Sequence, residues 1–108
     1  MVNIEDFKKL EIRVGRIESA EAIEGSEKLL KLSVNFGEFG KKQILAGLAK
    51  YYSLSDLIGL EVFFAFNLEP RTLMGLESQG MILAVDGKSG KPVLLKPSED
   101  VEPGNMVK

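Results

Sequence analysis

The chain has no cysteine, no histidine and no tryptophan among its 108 residues. Without cysteine there is no disulfide, no thiolate nucleophile and no thiolate metal site, a pattern that fits a reducing compartment. Without histidine the usual acid–base group near neutral pH and the commonest metal ligand are both missing. Neither charge sign dominates. Fourteen Lys and Arg stand against sixteen Asp and Glu, for a net charge of -2, which withholds the broad basic surface on which non-specific nucleic-acid binding relies. No run approaches the roughly 20 apolar residues of a membrane-spanning helix. The opening "MVNIEDFKKL" is charged and lacks the apolar centre of a signal peptide, so the expected location is cytoplasmic. Aromatic residues are few: two Tyr and six Phe. The phenylalanines mostly follow core periodicity, leaving no ladder of exposed rings for stacking successive bases.

The length predicts a single domain over residues 1–108, to whose burial dimerisation would add. In "NIEDF" a short helix opens at Asn3, with Asp6 placed to reach back to it as in a capping box. In "LEIRVGRIES" the apolar positions Leu10, Ile12 and Val14 share one strand face, and after Gly15 the phase slips to Ile17, which predicts a bulge or sharp coil at the glycine. A loop centred on Gly25 leads to clean alternation of Leu30, Leu32, Val34 and Phe36 against Lys31, Ser33 and Asn35. "GEFG" reads as a hairpin connection and Gln43 to Ala46 as the next strand. "YYSLSDLIG" reads as a helical turn that plugs a core and stops at Gly59. "EVFFAFNL" and "GMILAV" are apolar on both faces and need cover on both sides. "DGKSGK" is a turn, "PVLLKP" a short last strand, and Val101, Met106 and Val107 in the terminal extension would be wasted in solvent. Five main strands with a helical turn between the third and fourth predict an all-β fold, a five-stranded Greek-key barrel of the OB type with short helices.

Catalytic chemistry finds little support. Glu69 and Glu77 flank one loop, where solubility or pairing with Arg71 is a sufficient role. "GKSGK" lacks the spacing of a phosphate-binding loop, and no all-oxygen metal site is suggested, so neither enzyme activity nor a cofactor is expected. The informative stretch is "NLEPRTLMGLESQGMILA", residues 67–84. Pro70 fixes its own φ and holds Glu69 extended, so Arg71 leaves a strand end in a defined direction. Asn67 lies on the opposite strand face from Phe64, Phe66 and Leu68; it either projects beside Arg71 or is internally paired. Gly75 and Gly80 suit positive φ or close backbone approach. Ser78 and Gln79 offer donors and acceptors, and Met81 either covers a planar base or belongs to the core. Together these groups form a polar rim on an apolar frame.

"LEIRVGRI", "GSEKLLKL", "QILAGLAKYY" and above all the 67–84 stretch resemble the tRNA-binding domain that occurs as a free dimeric structure-specific tRNA-binding protein, at the C-terminus of methionyl-tRNA synthetases, in tyrosyl-tRNA synthetase extensions and in eukaryotic synthetase cofactors. The resemblance covers residues 5–108. It implies an OB-fold that grips the tRNA elbow by shape, with Asn67, Arg71, Ser78, Gln79 and Met81 facing RNA and Lys28, Lys31 and Arg13 supporting the backbone. It further implies a homodimer through terminal elements, here "NIEDF" and "EPGNMVK", or a separate subunit that docks onto methionyl-tRNA synthetase. Two departures weigh on affinity: "EGSE" replaces the family's usual Pro-Asn-Ala-Asp run, and Thr72 stands where Lys or Arg often follows the Pro-Arg pair. The alternative is a dimeric, export-related chaperone that binds peptides in an apolar groove between subunits.

Overall fold

A computed structural model describes residues 1–108. The helix α1, Ile4–Lys9, starts at Asn3, whose Oδ1 accepts from the Asp6 N–H at 2.8 Å. The cap is therefore the expected one, by the Asn3 side chain alone. No residue of this helix is buried.

Strand β1, Ile12–Ala22, is the backbone of the fold because it changes partners along its length. Residues 12–16 pair antiparallel with β4, Glu61–Ala65, and residues 16–22 pair with β2, Leu30–Asn35. The bulge lies at Glu18, between Ile17 and Ser19, and not at Gly15. Gly15 instead sits in regular register opposite Val62, and its role is spatial. A Cβ there would stand 2.5 Å from Val34 Cγ1 and 2.8 Å from Phe36 Cε1, so the strand can cross the core only where it has no side chain. The strand does not slip here: Gly15 and Ile17 face the core cluster, while Val14, buried outside that cluster, lies on the other face. The chain bends three residues later, where the Ile17 backbone bonds to Gly59 and Leu60 of the incoming connection.

Strand β2 buries Leu30, Leu32 and Val34 and turns Lys31, Ser33 and Asn35 outward, as its alternation predicts. A 3₁₀ turn, Gly37–Phe39, leads into β3, Lys41–Ala46. The four-residue helix α2, Leu54–Leu57, carries a complete capping box between Ser53 and Asp56. It plugs the core with Leu57 alone, while Leu54 and Ile58 stay partly exposed. The core is completed by Ile17, Ile44, Val62 and the edge-to-face pairs Phe36–Phe64 and Phe36–Phe66, at 5.4 and 5.0 Å.

The expected closed barrel is an open one. The strands run β3-β2-β1-β4-β7 in a curled antiparallel sheet of OB type, with β7 reduced to Met81–Ile82. Strands β5, Arg71–Leu73, and β6, Leu76–Ser78, form a separate hairpin, as do β8, Ala84–Asp86, and β9, Pro92–Leu94. "GMILAV" is thus split between β7 and β8. The seam between β3 and β7 is crossed by side chains: Ser78 Oγ accepts from the Leu45 N–H at 3.0 Å and Gln79 Oε1 from the Gln43 N–H at 2.8 Å. One backbone bond, from the Gln79 N–H to the Gln43 carbonyl at 2.8 Å, completes it. A seam of this kind satisfies edge groups without a ladder.

The terminal extension is not free in solvent. Gly104 and Asn105 exchange backbone bonds with Val14, and the Val107 N–H donates to Ile12, so the tail covers the edge of β1 that β2 leaves open.

Gly15→Ala should destabilise the fold by about 2–3 kcal/mol through overpacking, whereas Gly47→Ala, where an added methyl meets nothing within 4 Å, should leave the denaturant midpoint nearly unchanged. Equal midpoints for the two variants would remove the close-approach role. Ser78→Ala strips the Leu45 N–H and the Gly80 carbonyl of their shared partner. A loss of about 1–3 kcal/mol is expected by chemical denaturation.

Candidate nucleic-acid interface

The site is built on the β5–β6 hairpin. Arg71 pairs with Ser78, Thr72 with Glu77 and Leu73 with Leu76, so only Met74 and Gly75 form the turn. Gly75 has the positive φ, 78°, expected of it. Gly80 meets the other expectation, since a Cβ there would lie 2.9 Å from the Ala65 carbonyl oxygen. The hairpin lies over the outer face of β3. The Gln43 Nε2 donates to the Glu77 carbonyl at 2.9 Å, and Leu45, which points out of the sheet, is buried.

Arg71 is exposed and forms no ion pair; neither Glu69 nor Glu77 holds it. It shares a small cleft of about 60 Å³ with Leu68, Leu73, Ser78 and Met81. Met81 belongs to this rim, with nearly half its surface exposed. Lys31 projects from β2 directly opposite Leu45 and pairs with Glu21 at 3.3 Å. It lines a polar cleft of about 320 Å³ on the outer face of β1, β2 and β3, with Ser19, Ser33, Lys41, Lys42 and Gln43. Lys28 lies in the loop beside the hairpin tip, on an open cleft of about 630 Å³ that Met74 also lines, and has no acidic partner. Arg71 on the hairpin, Met81 in the small cleft with it and Lys28 beside its tip therefore gather at one hairpin, while Lys31 lies on the adjoining outer face of β2.

The other four residues singled out by sequence perform internal tasks. The Asn67 Oδ1 accepts from the Glu11 N–H and its Nδ2 donates to the Lys9 carbonyl, both at 2.8 Å, which joins the end of α1 to the chain leaving β4. This is the paired asparagine of the two readings. Ser78 is buried, and both its donor and its acceptor are used in the seam. Gln79 uses its Oε1 there and keeps its Nε2 donor without a partner in the chain. Arg13 points along the core face of β1 and closes the bottom of the half-barrel. Its guanidinium bonds Glu11 Oε1 at 2.9 and 3.0 Å and the Gly104 carbonyl at 2.7 Å, and lies 4.1 Å from the Phe39 ring centroid. With three of its five N–H donors engaged, a ring against its face and most of its side chain buried, this arginine is withdrawn from an external phosphate.

Lys41 and Lys42 reach the polar cleft without having been singled out. Their signal was the basic pair in "GKKQ" at the start of a strand. Lys41 meets Glu18 Oε1 at 2.8 Å, and this bond with the one from Asn35 holds the Glu18 carboxyl below its ordinary pKa. Lys42 lies 3.8 Å from the Phe66 ring centroid and donates to the Phe66 carbonyl at 3.2 Å.

A second surface lies at the termini. Ile4, Phe7, Leu10, Met106 and Val107 line an apolar cleft of about 300 Å³ between α1 and the tail, and all five are exposed. No helix is long and apolar enough to cross a membrane.

Residues 12–106 match the family described as "Putative tRNA binding domain". The chain is 46% identical over 106 residues to methionine–tRNA ligase of Caldanaerobacter subterraneus subsp. tengcongensis, covering 98% of this chain and 16% of that protein. It thus spans about one sixth of the length of such curated relatives. Among solved structures, it is similar to a MetRS related protein from Pyrococcus horikoshii, with TM-score 0.91, 33% identity and coverage of 100% of this chain and 98% of that one. It is likewise similar to the chaperone CsaA from Bacillus anthracis, with TM-score 0.89, 32% identity and coverage of 100% and 99%. A curled OB-type sheet, a seam-locked hairpin and a match across nearly the whole chain lead to one conclusion: the chain belongs to the tRNA-binding domain family related to the C-terminal domain of methionyl-tRNA synthetase.

Proposed function

We propose that the chain is a single non-catalytic domain that binds folded tRNA on the face around the β5–β6 hairpin, as a free homodimer or as an accessory of methionyl-tRNA synthetase. The observation that carries this reading is Arg71. It is an exposed guanidinium with no carboxylate partner, held on a rigid hairpin beside the half-exposed Met81. Lys28 and Lys31 extend the cationic groups to the neighbouring loop and strand, where they can meet phosphates, while hydroxyl and amide groups of Ser33, Gln43 and Gln79 suit riboses. The net charge of -2 does not oppose such a site, because most acids lie elsewhere or are paired with cations of their own. Contact through ribose and phosphate reads shape rather than sequence, which favours a folded tRNA over a single strand.

The apolar cleft at the termini supports the dimer. Helix α1 and its C-cap Leu10 present Ile4, Phe7 and Leu10 to this cleft and bury none of them. A second copy seated by two-fold symmetry would cover the same patch on both chains.

The same cleft favours a second reading, a chaperone that holds an unfolded segment between two subunits, in keeping with the likeness to CsaA. Its ligand would meet α1 and the tail, not Arg71.

In a competition titration at fixed salt, intact tRNA should displace labelled tRNA better than duplex RNA or oligo-dT. Arg71→Ala should weaken all tRNAs alike and lower the slope of log K against log salt by about one. Oligo-dT competing as well as tRNA rejects shape recognition; binding of unfolded polypeptide with no tRNA binding brings the chaperone to the front. Sedimentation equilibrium should give a dimer mass at tens of micromolar, and Phe7→Asp should give a folded monomer. A wild-type chain that stays monomeric removes the dimer.

A further inference from the structure

The tip of the hairpin violates the chemistry of its own turn. Two central residues at positive φ form a type I′ connection, where Asn-Gly is favoured because asparagine tolerates the left-handed region and glycine meets no penalty there. Gly75 conforms. Met74, at φ 52°, is the one non-glycine residue of the chain with positive φ. Burial does not compensate, since Met74 is more than half exposed. A residue that is unfavourable for the turn and contributes little to the core points to a task outside the fold.

The position of the side chain indicates the task. The Met74 Cε reaches across to the loop before β2, to 3.5 Å from where a Gly25 Cβ would stand. The hairpin tip and this loop thereby join to line the open, shallow cleft of about 630 Å³. Leu29 and Leu73 make it apolar, and Gly25 and Gly47 contribute no side chains to narrow it. Lys28 stands on its rim without an acidic partner, and Arg71 projects from the same hairpin. Glu27, the one acid of the rim, provides an acceptor. A shallow apolar shelf carrying a polarisable thioether, with a cation on its rim, is complementary to the face of a nucleobase with its phosphate attached. Sulfur packs well on aromatic rings, and a base unstacked from a loop or elbow presents one. A peptide side chain would use the apolar shelf but not the unpaired Lys28 on its rim.

We infer that the shelf formed by Met74, Leu29 and Leu73 carries one unpaired base of the bound tRNA stacked on it while Lys28 holds its phosphate. The inference rests on the tRNA-binding reading above and adds a base-holding subsite to it.

Met74→Asn separates this role from any structural one, because it restores the residue the turn prefers. The variant should unfold at an equal or higher denaturant midpoint yet bind tRNA roughly three- to tenfold more weakly, with an unchanged salt slope. Met74→Leu should retain more of the affinity than Met74→Asn. Lys28→Ala should lower the slope by about one. If the wild type binds tRNA and Met74→Asn binds it equally well, the subsite is overturned while the tRNA reading stands; if the wild type binds no tRNA, both fall. A fall in the stability of Met74→Asn would show that the methionine serves the fold and would likewise overturn the proposal.

Discussion

The free edge of β3 is the constraint on which this molecule turns. A sheet that curls by OB topology brings its first and last strands close together, and here the last one, β7, is too short to form a ladder with β3. The edge N–H groups of Gln43 and Leu45, covered by the hairpin, would then be unsatisfied. Ser78 and Gln79 supply the missing acceptors from side chains, so the seam closes without a backbone register. Because those two residues end and follow β6, satisfying the edge also fixes the hairpin on the outer face of the sheet. Arg71, opposite Ser78, inherits its position from the seam.

Charge is arranged by pairing more than by total. Arg13 and Lys42 are held over phenylalanine rings and against backbone carbonyls, where they seal the lower end of the core. Lys41 and Lys31 lean on Glu18 and Glu21, which tempers the outer face of the first three strands. Exposed pairs of this kind add little stability, but they decide which cations stay unengaged. Arg71, on the hairpin, and Lys28, in the loop beside its tip, are among these. A nearly neutral protein can in this way present a local cationic site without a basic surface.

The polar and apolar surfaces are also kept apart. The tail covers the β1 edge through Val14 and Ile12, which places Met106 and Val107 beside α1. The outer groups of β2 and β3 and the hairpin stay polar or mixed. The two surfaces are built from different elements, so an assembly through the termini and a ligand at the hairpin need not compete for the same residues.

Local chemistry by itself determined much of this. The alternation of β2, the Asn3 cap, the capping helical turn ending at Gly59, the glycine turns and the positive φ at Gly75 depend on neighbours in sequence, and each is found where the residues put it. The motif in residues 67–84 likewise located the hairpin around which the candidate site lies. Tertiary structure alone decided what the polar side chains do. Whether Asn67 and Ser78 face a ligand or the protein depends on which orphaned backbone groups come within 3 Å of them, and those belong to Glu11, Lys9 and Leu45, far away along the chain. Gly15 shows the same limit: the glycine is visible in sequence, but the rings and the valine that leave no space for a Cβ come from β2, its end and β4. Hydrogen-bond partners and excluded volume are set by distance in space, and a one-dimensional pattern carries that only where the partner is a near neighbour.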